Sequence, residues 1–160
     1  TLAFVAAILA VAPDVPADAP VAHLPLSASQ VWRLVLVLTV WSFDTFADLS
    51  GRTFKKGRFL NHISPNKTWS GVIGGTVAAI VVGGALSAAA GQWLPGGLFM
   101  GLLVAIAGQA GDVAESMLKR TAGAKDSSNL IPGHGGILDR TDSFLFAAPV
   151  VYAYLLIVSA

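Results

Sequence analysis

Apolar segments alternate with short polar segments along the whole chain. Five stretches consist mainly of alanine, valine, leucine and glycine, a composition typical of membrane-spanning helices. They run from Thr1 to Ala12, Val31 to Leu49, Gly71 to Ala90, Gly97 to Val113 and Ser143 to Ala160. A full span needs about 20 residues at a rise of about 1.5 Å per residue, and the third stretch reaches this length without interruption. The pattern therefore predicts an all-α integral membrane protein with about five transmembrane helices.

The composition favours a lipid environment over water. Of the 160 residues, 54% are hydrophobic and 12% are charged, whereas an average soluble domain has about 25% charged residues. A soluble helical bundle is the alternative, but a single core of this size is too small to bury every apolar segment. The absence of cysteine excludes disulfides, thiolate metal sites and cysteine nucleophiles.

The chain begins with Thr1 and continues directly into an apolar run. A signal peptide would have a positively charged region before that run, so a truncated membrane helix is favoured. The sequence is therefore expected to be the C-terminal part of a longer protein.

Basic residues are concentrated in two polar segments, and this concentration predicts the orientation in the membrane. The first segment carries Arg52, Lys55, Lys56, Arg58 and Lys67, and the second carries Lys119, Arg120, Lys125 and Arg140. Two predicted spans separate the segments, so both lie on one side, which the positive-inside rule makes cytoplasmic. Asp14 and Asp18 then lie on the outer side.

Two acidic pairs occur within or beside the predicted spans. Asp44 and Asp48 are one helical turn apart, so both lie on one face of their helix. Asp112 and Glu115 repeat this arrangement. An aspartate near the bilayer centre costs about 2.5 to 3.5 kcal/mol, so such residues usually face a polar cavity. One interpretation is a shared acidic cavity, and the alternative is a position at the helix ends among lipid headgroups.

The second basic loop has the composition of a phosphate-binding site. Between Ser116 and Asp142 it combines glycines, lysines, arginines and aspartates. Glycines let backbone N–H groups approach an anion, basic side chains neutralise phosphate, and carboxylates hold a magnesium ion that bridges phosphate oxygens. The alternative for such a loop is membrane orientation or binding of anionic lipid headgroups. His134, considered alone, is as readily structural as catalytic.

Polar residues, glycines and one proline recur in this loop at a characteristic spacing. They are Ser116, Lys119, Arg120, Lys125, Asp126, Ser128, Pro132, His134, Gly135, Gly136, Asp139, Arg140 and Asp142. Their spacing resembles the signature of the phosphatidate cytidylyltransferase family. An upstream segment is also similar to this family, with Asp44, Asp48, Gly51, Arg52 and the run from Ile63 to Gly71. Ser70 departs from it, since many members have glutamate at that position.

The resemblance implies transfer of CMP from CTP to phosphatidic acid, which gives CDP-diacylglycerol and pyrophosphate for phospholipid synthesis. It implies that Asp112 and Asp139 hold a catalytic magnesium ion, with Asp44 and Asp142 as further ligands or close neighbours. A second, monovalent cation is left open. The implied catalytic residues are Asp112, Asp139, Asp142, Lys119, Arg120 and His134. The implied substrate-binding residues are Ser64, Lys67, Thr68, Lys125, Asp126, Gly135, Gly136 and Arg140.

Two other activities fit parts of the pattern. A CTP-dependent lipid kinase of the polyprenol type is the nearest enzymatic alternative. A cation or proton transporter is the alternative from another class, because acids lie within the predicted spans. A transporter gives no reason for a Gly-His-Gly-Gly loop flanked by Lys-Asp and Asp-Arg pairs. A purely structural membrane protein is the third option.

The prediction is a single transmembrane catalytic domain over residues 1–160. Its expected partners are CTP, phosphatidic acid and the lipid bilayer, with no nucleic acid. The glycines between Gly71 and Gly84 would allow a homodimer. The expected location is the bacterial cytoplasmic membrane, with the active site facing the cytoplasm.

Overall fold

Helices account for almost all of the regular structure. The computed structural model describes residues 2–59, 67–123 and 138–159. These residues form α1 (Leu2–Val11), α2 (Ala28–Phe54), α3 (Trp69–Ala89), α4 (Leu94–Thr121) and α5 (Leu138–Val158). Within the described ranges no strand is present, and Arg58 and Thr68 form one isolated antiparallel bridge. Each predicted apolar segment corresponds to one helix, so the all-α prediction is confirmed.

Three helices are long and apolar enough to cross a membrane. They are α2, α3 and α4, while the apolar part of α5, Asp142–Val158, is shorter and α1 has 10 residues. Their outer faces carry large apolar side chains, including Leu34 and Leu38 on α2 and Ile73, Val77 and Val81 on α3, each at least 40% exposed. Side chains of this kind are stable when lipid is the solvent. The prediction of an integral membrane protein is therefore confirmed.

Side-chain caps explain why two helices begin where they do. Ser27 precedes α2, and its side chain accepts a hydrogen bond from the Gln30 backbone N–H while the Gln30 side chain accepts one from the Ser27 backbone N–H. Thr68 precedes α3 and accepts a hydrogen bond from the Gly71 N–H at 3.1 Å. Such caps satisfy backbone donors that have no partner within the helix. The predicted start of the second span at Val31 is therefore too late.

Consecutive helices pack antiparallel, and small residues set their separation. Gly71 and Gly75 of α3 face α2, where an added Cβ would lie 2.8 Å from the backbone oxygens of Ala47 and Phe43 respectively. Further along α3, Gly83 and Gly84 face α4 in the same way. These glycines are therefore used for packing within one chain. The structure gives no support to a homodimer formed through them, and the homodimer stays a prediction.

The contacts of α1 and α5 close the bundle. α5 packs on α4, α1 and α2, and α1 also packs on α2. The largest fully buried side chains, which include Trp32, Phe43, Leu36, Met100 and Leu155, fill the space between them. At one end of this bundle α2 and α4 terminate and α3 and α5 begin. We call it the basic end, because Arg52, Lys55, Lys67, Lys119 and Arg120 are found there.

Candidate active site

A cavity of about 1070 Å³ opens at the basic end between α2, α3, α4 and α5. Four carboxylates and four basic side chains contribute to its wall, and they are Asp44, Asp48, Asp112 and Asp142 with Arg52, Lys55, Arg58 and Lys67. The wall also includes Trp41, which belongs to the apolar part of α2 and is 58% exposed. The cavity therefore extends from a charged rim into the region of apolar helix surface. Its volume is at the upper limit of ordinary ligand pockets, which reach about 1000 Å³.

The centre of the cavity is a contact between three helices. The hydroxyl of Ser143, on α5, lies 2.9 Å from Asp44 Oδ1 on α2 and 2.9 Å from Asp112 Oδ1 on α4. A serine hydroxyl has one proton, so it donates to one of the two carboxylates at a time. Ser143 is 1% exposed. The distance between Asp44 Oδ1 and Asp112 Oδ1 is consequently no larger than the sum of these two distances.

The other oxygen of Asp112 forms an ion pair. Lys67 Nζ lies 3.0 Å from Asp112 Oδ2, and the two side chains are 21% and 26% exposed. Ion pairs in partly desolvated positions are screened less than those at the surface. Both Asp112 oxygens are thus engaged, one by the Ser143 hydroxyl and the other by an ammonium group from the start of α3.

The polar segment before α3 is held in place at both of its ends. The Phe59 N–H donates to the Lys67 carbonyl at 2.8 Å, and the Trp69 N–H donates to the Gly57 carbonyl at 3.1 Å. The Phe59 and Trp69 rings meet edge to face at 4.7 Å. These contacts join the backbone at Lys67 and Trp69 to residues 57–59, which follow α2. Lys67 therefore reaches Asp112 from an ordered backbone.

Thr68 has a structural role that the sequence interpretation did not include. Its hydroxyl oxygen accepts the Gly71 N–H and lies 3.1 Å from the Ser70 hydroxyl. Ser70, the position at which the chain departs from the pattern that it resembles, is thereby part of the α3 cap. Thr68 also contributes to the cavity wall, so its predicted contact with substrate is compatible with the cap.

We call the contact between Asp44, Ser143 and Asp112 the acidic centre. Asp142 lies close to it, in the first part of α5. Its Oδ1 accepts the Ser143 N–H at 2.9 Å, and its carboxyl interacts electrostatically with Asp112 and Glu115. Gly111 permits this arrangement, because an ideal Cβ there would lie 2.5 Å from the Asp142 carbonyl oxygen. The absence of a side chain at position 111 thus lets α5 approach α4 beside Asp112.

We predict that Gly111→Ala lowers both stability and activity. The added methyl group forces the start of α5 away from α4, and overpacking of this kind costs about 1 to 3 kcal/mol. Thermal unfolding in detergent and the initial rate of the reaction proposed below would be measured. Gly108→Ala is the matched comparison on the same helix, since a Cβ there meets side-chain atoms of Phe43 at 3.3 Å rather than backbone atoms. A Gly111→Ala protein as stable and active as the Gly108→Ala protein would contradict the prediction.

Lys119 and Arg120 lie beyond the cavity wall. Lys119 Nζ is 2.8 Å from Glu115 Oε2, and the Glu115 side chain is 7% exposed. The Lys119 ammonium group is therefore already bound to a buried carboxylate of its own helix. Arg120 occupies the exposed last turn of α4. The catalytic roles that the resemblance implies for these two residues stay predictions.

Several predicted residues lie outside what the structure describes. Ser64, Lys125, Asp126, His134, Gly135 and Gly136 are outside the described ranges. Asp139 and Arg140 belong to the first turn of α5, but their side chains are outside the description. Among residues 2–59, 67–123 and 142–159, no three histidine, aspartate or glutamate side chains are grouped to hold a metal ion. The ligand set of Asp112, Asp139 and Asp44 is therefore not tested.

The sequence interpretation gave no site role to five residues of the cavity wall. Arg52, Lys55 and Arg58 were used to predict orientation, and Arg52 was also part of the resemblance, but none was assigned to the site, and all three contribute to the wall. Ser143 was counted as the first residue of an apolar span. Gln109, one turn before Asp112, contributes to the wall, and its side-chain nitrogen is buried without a hydrogen-bond partner in the described part of the chain. Helical spacing from Asp112 could have identified Gln109 and the resemblance could have identified Arg52, but no pattern in the sequence identifies the other three.

Comparison with known proteins identifies the family of this chain. The model of the cytidylyltransferase family matches residues 3–158. A protein of Brucella abortus named phosphatidate cytidylyltransferase is 47% identical over 122 residues, covering 74% of this chain and 44% of that protein. Proteins of the same name from Synechocystis and Bacillus subtilis are 45% and 43% identical, and the matches cover 84% and 76% of this chain.

These matches cover only part of each relative. The chain spans about half the length of the curated relatives it matches, with 51% of the Synechocystis protein and 46% of the Bacillus subtilis protein covered. The family match nevertheless covers α2 to α5 completely, α1 from its second residue, and every described residue of the cavity wall. The chain therefore belongs to the cytidylyltransferase family.

Proposed function

We propose that this chain carries the active site of a phosphatidate cytidylyltransferase. The observation that carries the proposal is the cavity at the basic end, which joins carboxylates, basic side chains and apolar helix surface in one space. A nucleotide and a lipid phosphate are both anionic, and the lipid also needs an apolar surface for its acyl chains. The names of the relatives support the same substrate pair.

The reaction is nucleotidyl transfer. A phosphate oxygen of phosphatidic acid attacks the α-phosphorus of CTP, a new P–O bond forms, and the bond to the β-phosphate breaks with release of pyrophosphate. The attacking oxygen is ionised at neutral pH, so the protein does not need to remove a proton from it. Its work is to align two polyanions and to stabilise the charge of the transition state.

The acidic centre suits a magnesium ion. Mg²⁺ prefers oxygen ligands at about 2.0 to 2.1 Å, and Oδ1 of Asp44 and Oδ1 of Asp112 both lie within 2.9 Å of one hydroxyl. These two residues, together with Asp139, would hold the ion. Bound there, it would supply positive charge that offsets the negative charge of the phosphate groups.

Basic side chains on the other part of the wall would hold phosphate groups. Lys67 is placed beside Asp112, and Arg52, Lys55 and Arg58 follow along the rim. Arg52 also contacts Asp48 at 2.6 Å, but both side chains are more than half exposed, so this pair contributes little to stability and can exchange for a phosphate. The Thr68 hydroxyl can donate its proton to a phosphate oxygen while its oxygen continues to cap α3.

The cytoplasmic membrane of a bacterium is the proposed location, with the basic end facing the cytoplasm. The described basic residues other than Arg33 lie at or next to that end, whereas the exposed Asp14 and Asp18 precede α2 at the opposite end. The positive-inside rule then orients the cavity toward the compartment that contains CTP.

The activity is tested with the full-length protein in detergent. With labelled CTP, phosphatidic acid and Mg²⁺, we expect labelled CDP-diacylglycerol and pyrophosphate, and no product after chelation of the metal. Lipid phosphate with CDP as the product would instead identify a lipid kinase. Cation flux into sealed liposomes, without any nucleotide-dependent product, would identify a transporter. Either result would refute the proposed function.

A further inference from the structure

The Ser143 hydroxyl joins the two carboxylates whose separation matters most at the acidic centre. Its oxygen lies 2.9 Å from one oxygen each of Asp44 and Asp112, residues that are 99 and 31 positions away in the sequence. The side chain is 1% exposed. Asp44 and Asp112 belong to different helices, so their spacing depends on how α2 and α4 are held relative to each other.

Two carboxylates this close repel each other unless a donor or a cation lies between them. A hydroxyl group is a neutral donor, and a hydrogen bond to an ionised acceptor is about twice as strong as one between neutral groups. The proton of Ser143 can move between the two acceptors by rotation about one bond. The hydroxyl therefore restricts both carboxylates to one region without adding a charge.

The position of Ser143 is itself fixed by its surroundings. Its backbone N–H donates to Asp142 Oδ1 at 2.9 Å, and the glycines on the facing side of α4 allow close approach. A Cβ at Gly108 would lie 3.7 Å from Ser143 Cβ, so Gly108 leaves space beside the serine side chain. The hydroxyl consequently acts from an ordered helix start in contact with α4.

We propose that Ser143 is a positioning residue, which holds the carboxylates of Asp44 and Asp112 at a spacing that one divalent cation can share. This inference rests on the proposed function for its purpose, but the cation affinity that it concerns is measurable without substrate. Ser143 acts through the two aspartates and does not contact the reacting groups. Loss of the hydroxyl removes neither carboxylate, but it makes the separation between them larger and more variable.

The chain contains a matched control for a purely structural effect. Ser87 on α3 is also 1% exposed, and its hydroxyl has no partner in the described part of the chain. It lies beside Gly97 near the opposite end of the bundle. Ser87→Ala therefore makes the same chemical change at the same burial, far from the acidic centre.

The experiment measures Mn²⁺ binding to the full-length protein by electron paramagnetic resonance, without CTP or lipid. We expect Ser143→Ala to weaken binding about ten-fold, and Ser87→Ala to change it less than two-fold. Ser143→Thr, whose extra methyl group can occupy the space beside Gly108, should restore binding to within about three-fold of the unaltered protein. In the activity assay Ser143→Ala should raise the Mg²⁺ concentration for half-maximal rate about ten-fold and leave the KM for CTP unchanged.

Equal Mn²⁺ affinity in Ser143→Ala and Ser87→Ala would overturn the proposal. If Ser143→Ala does not fold, Ser143→Cys and Ser143→Thr decide the matter, because the thiol is a weak donor of similar size and should bind Mn²⁺ more weakly than the threonine variant. Equal affinity in those two variants would also overturn it. Failure of the proposed function looks different: no CDP-lipid would form, while Mn²⁺ binding would still depend on the residue at position 143.

Discussion

Asp112→Asn is expected to reduce the rate of CDP-diacylglycerol formation about a thousand-fold while the protein stays folded. Asparagine has nearly the same volume and can still accept a hydrogen bond from Ser143, but it carries no charge for a magnesium ion or for Lys67. Removal of one group that stabilises transition-state charge typically lowers turnover by about a hundred- to a thousand-fold. The expected loss of rate is at the upper end of this range, because Asp112 contacts both Ser143 and Lys67. Initial rates at saturating CTP and Mg²⁺ measure it.

The control for this substitution is Asp18→Asn. Asp18 is exposed and lies at the opposite end of the bundle from the cavity, so the same chemical change should leave the rate within two-fold of the unaltered protein. Thermal unfolding of both variants establishes that they are folded. If Asp112→Asn retained more than a tenth of the rate, Asp112 would not hold the catalytic metal ion.

Lys67→Met is expected to lower turnover about a hundred-fold and also to destabilise the protein. Methionine preserves most of the apolar stem, but it leaves Asp112 Oδ2 without the ammonium group that lies 3.0 Å away. Breaking a fully buried ion pair on one side costs about 3 to 5 kcal/mol, and the cost here is smaller because both side chains are about a quarter exposed. The same substitution removes a cation from the phosphate-binding part of the wall, so the KM for CTP should rise together with the fall in kcat.

Lys56→Met is the matched control. Lys56 belongs to the same polar segment and is exposed, and it is not part of the cavity wall. We expect its melting temperature and both kinetic constants to stay close to those of the unaltered protein. A Lys67→Met protein with an unchanged KM for CTP would show that Lys67 does not bind the nucleotide, even if its stability were reduced.

The helices could be predicted from the sequence because apolar segments are long and charges are rare between them. Their ends could not, since α2 continues past Leu49 to Phe54 and α4 continues past Val113 to Thr121. Polar residues such as Arg52 and Glu115 form helix as readily as apolar ones, and hydropathy alone does not detect this continuation. The helix start at Ser27 required recognition of a capping box.

The sequence predicted those residues of the candidate site that are charged and lie within or beside a predicted span. Asp44, Asp112 and Lys67 share one cavity, as the interpretation of two cooperating segments requires, although their chemical roles stay predictions. Ser143 was not predictable, because a serine at the start of an apolar helix has no distinctive spacing. Its importance depends on which helices meet at that position, and this is a property of the tertiary structure rather than of the local sequence.

The glycines of α3 illustrate a related limit. Their spacing correctly indicates close helix contact, but it does not specify the partner. Gly75 contacts α2 of the same chain, and Gly83 contacts α4. A pattern that permits association between two chains is equally satisfied by packing within one chain.

The link between Asp44 and Ser143 also has a consequence for biogenesis. These residues are 99 positions apart, and translation adds residues in order at about 5 to 20 per second. A nascent chain that has released α2, α3 and α4 into the bilayer still lacks the hydroxyl that joins the two carboxylates. The acidic centre is therefore completed only when α5, which is translated after α2, α3 and α4, has been inserted.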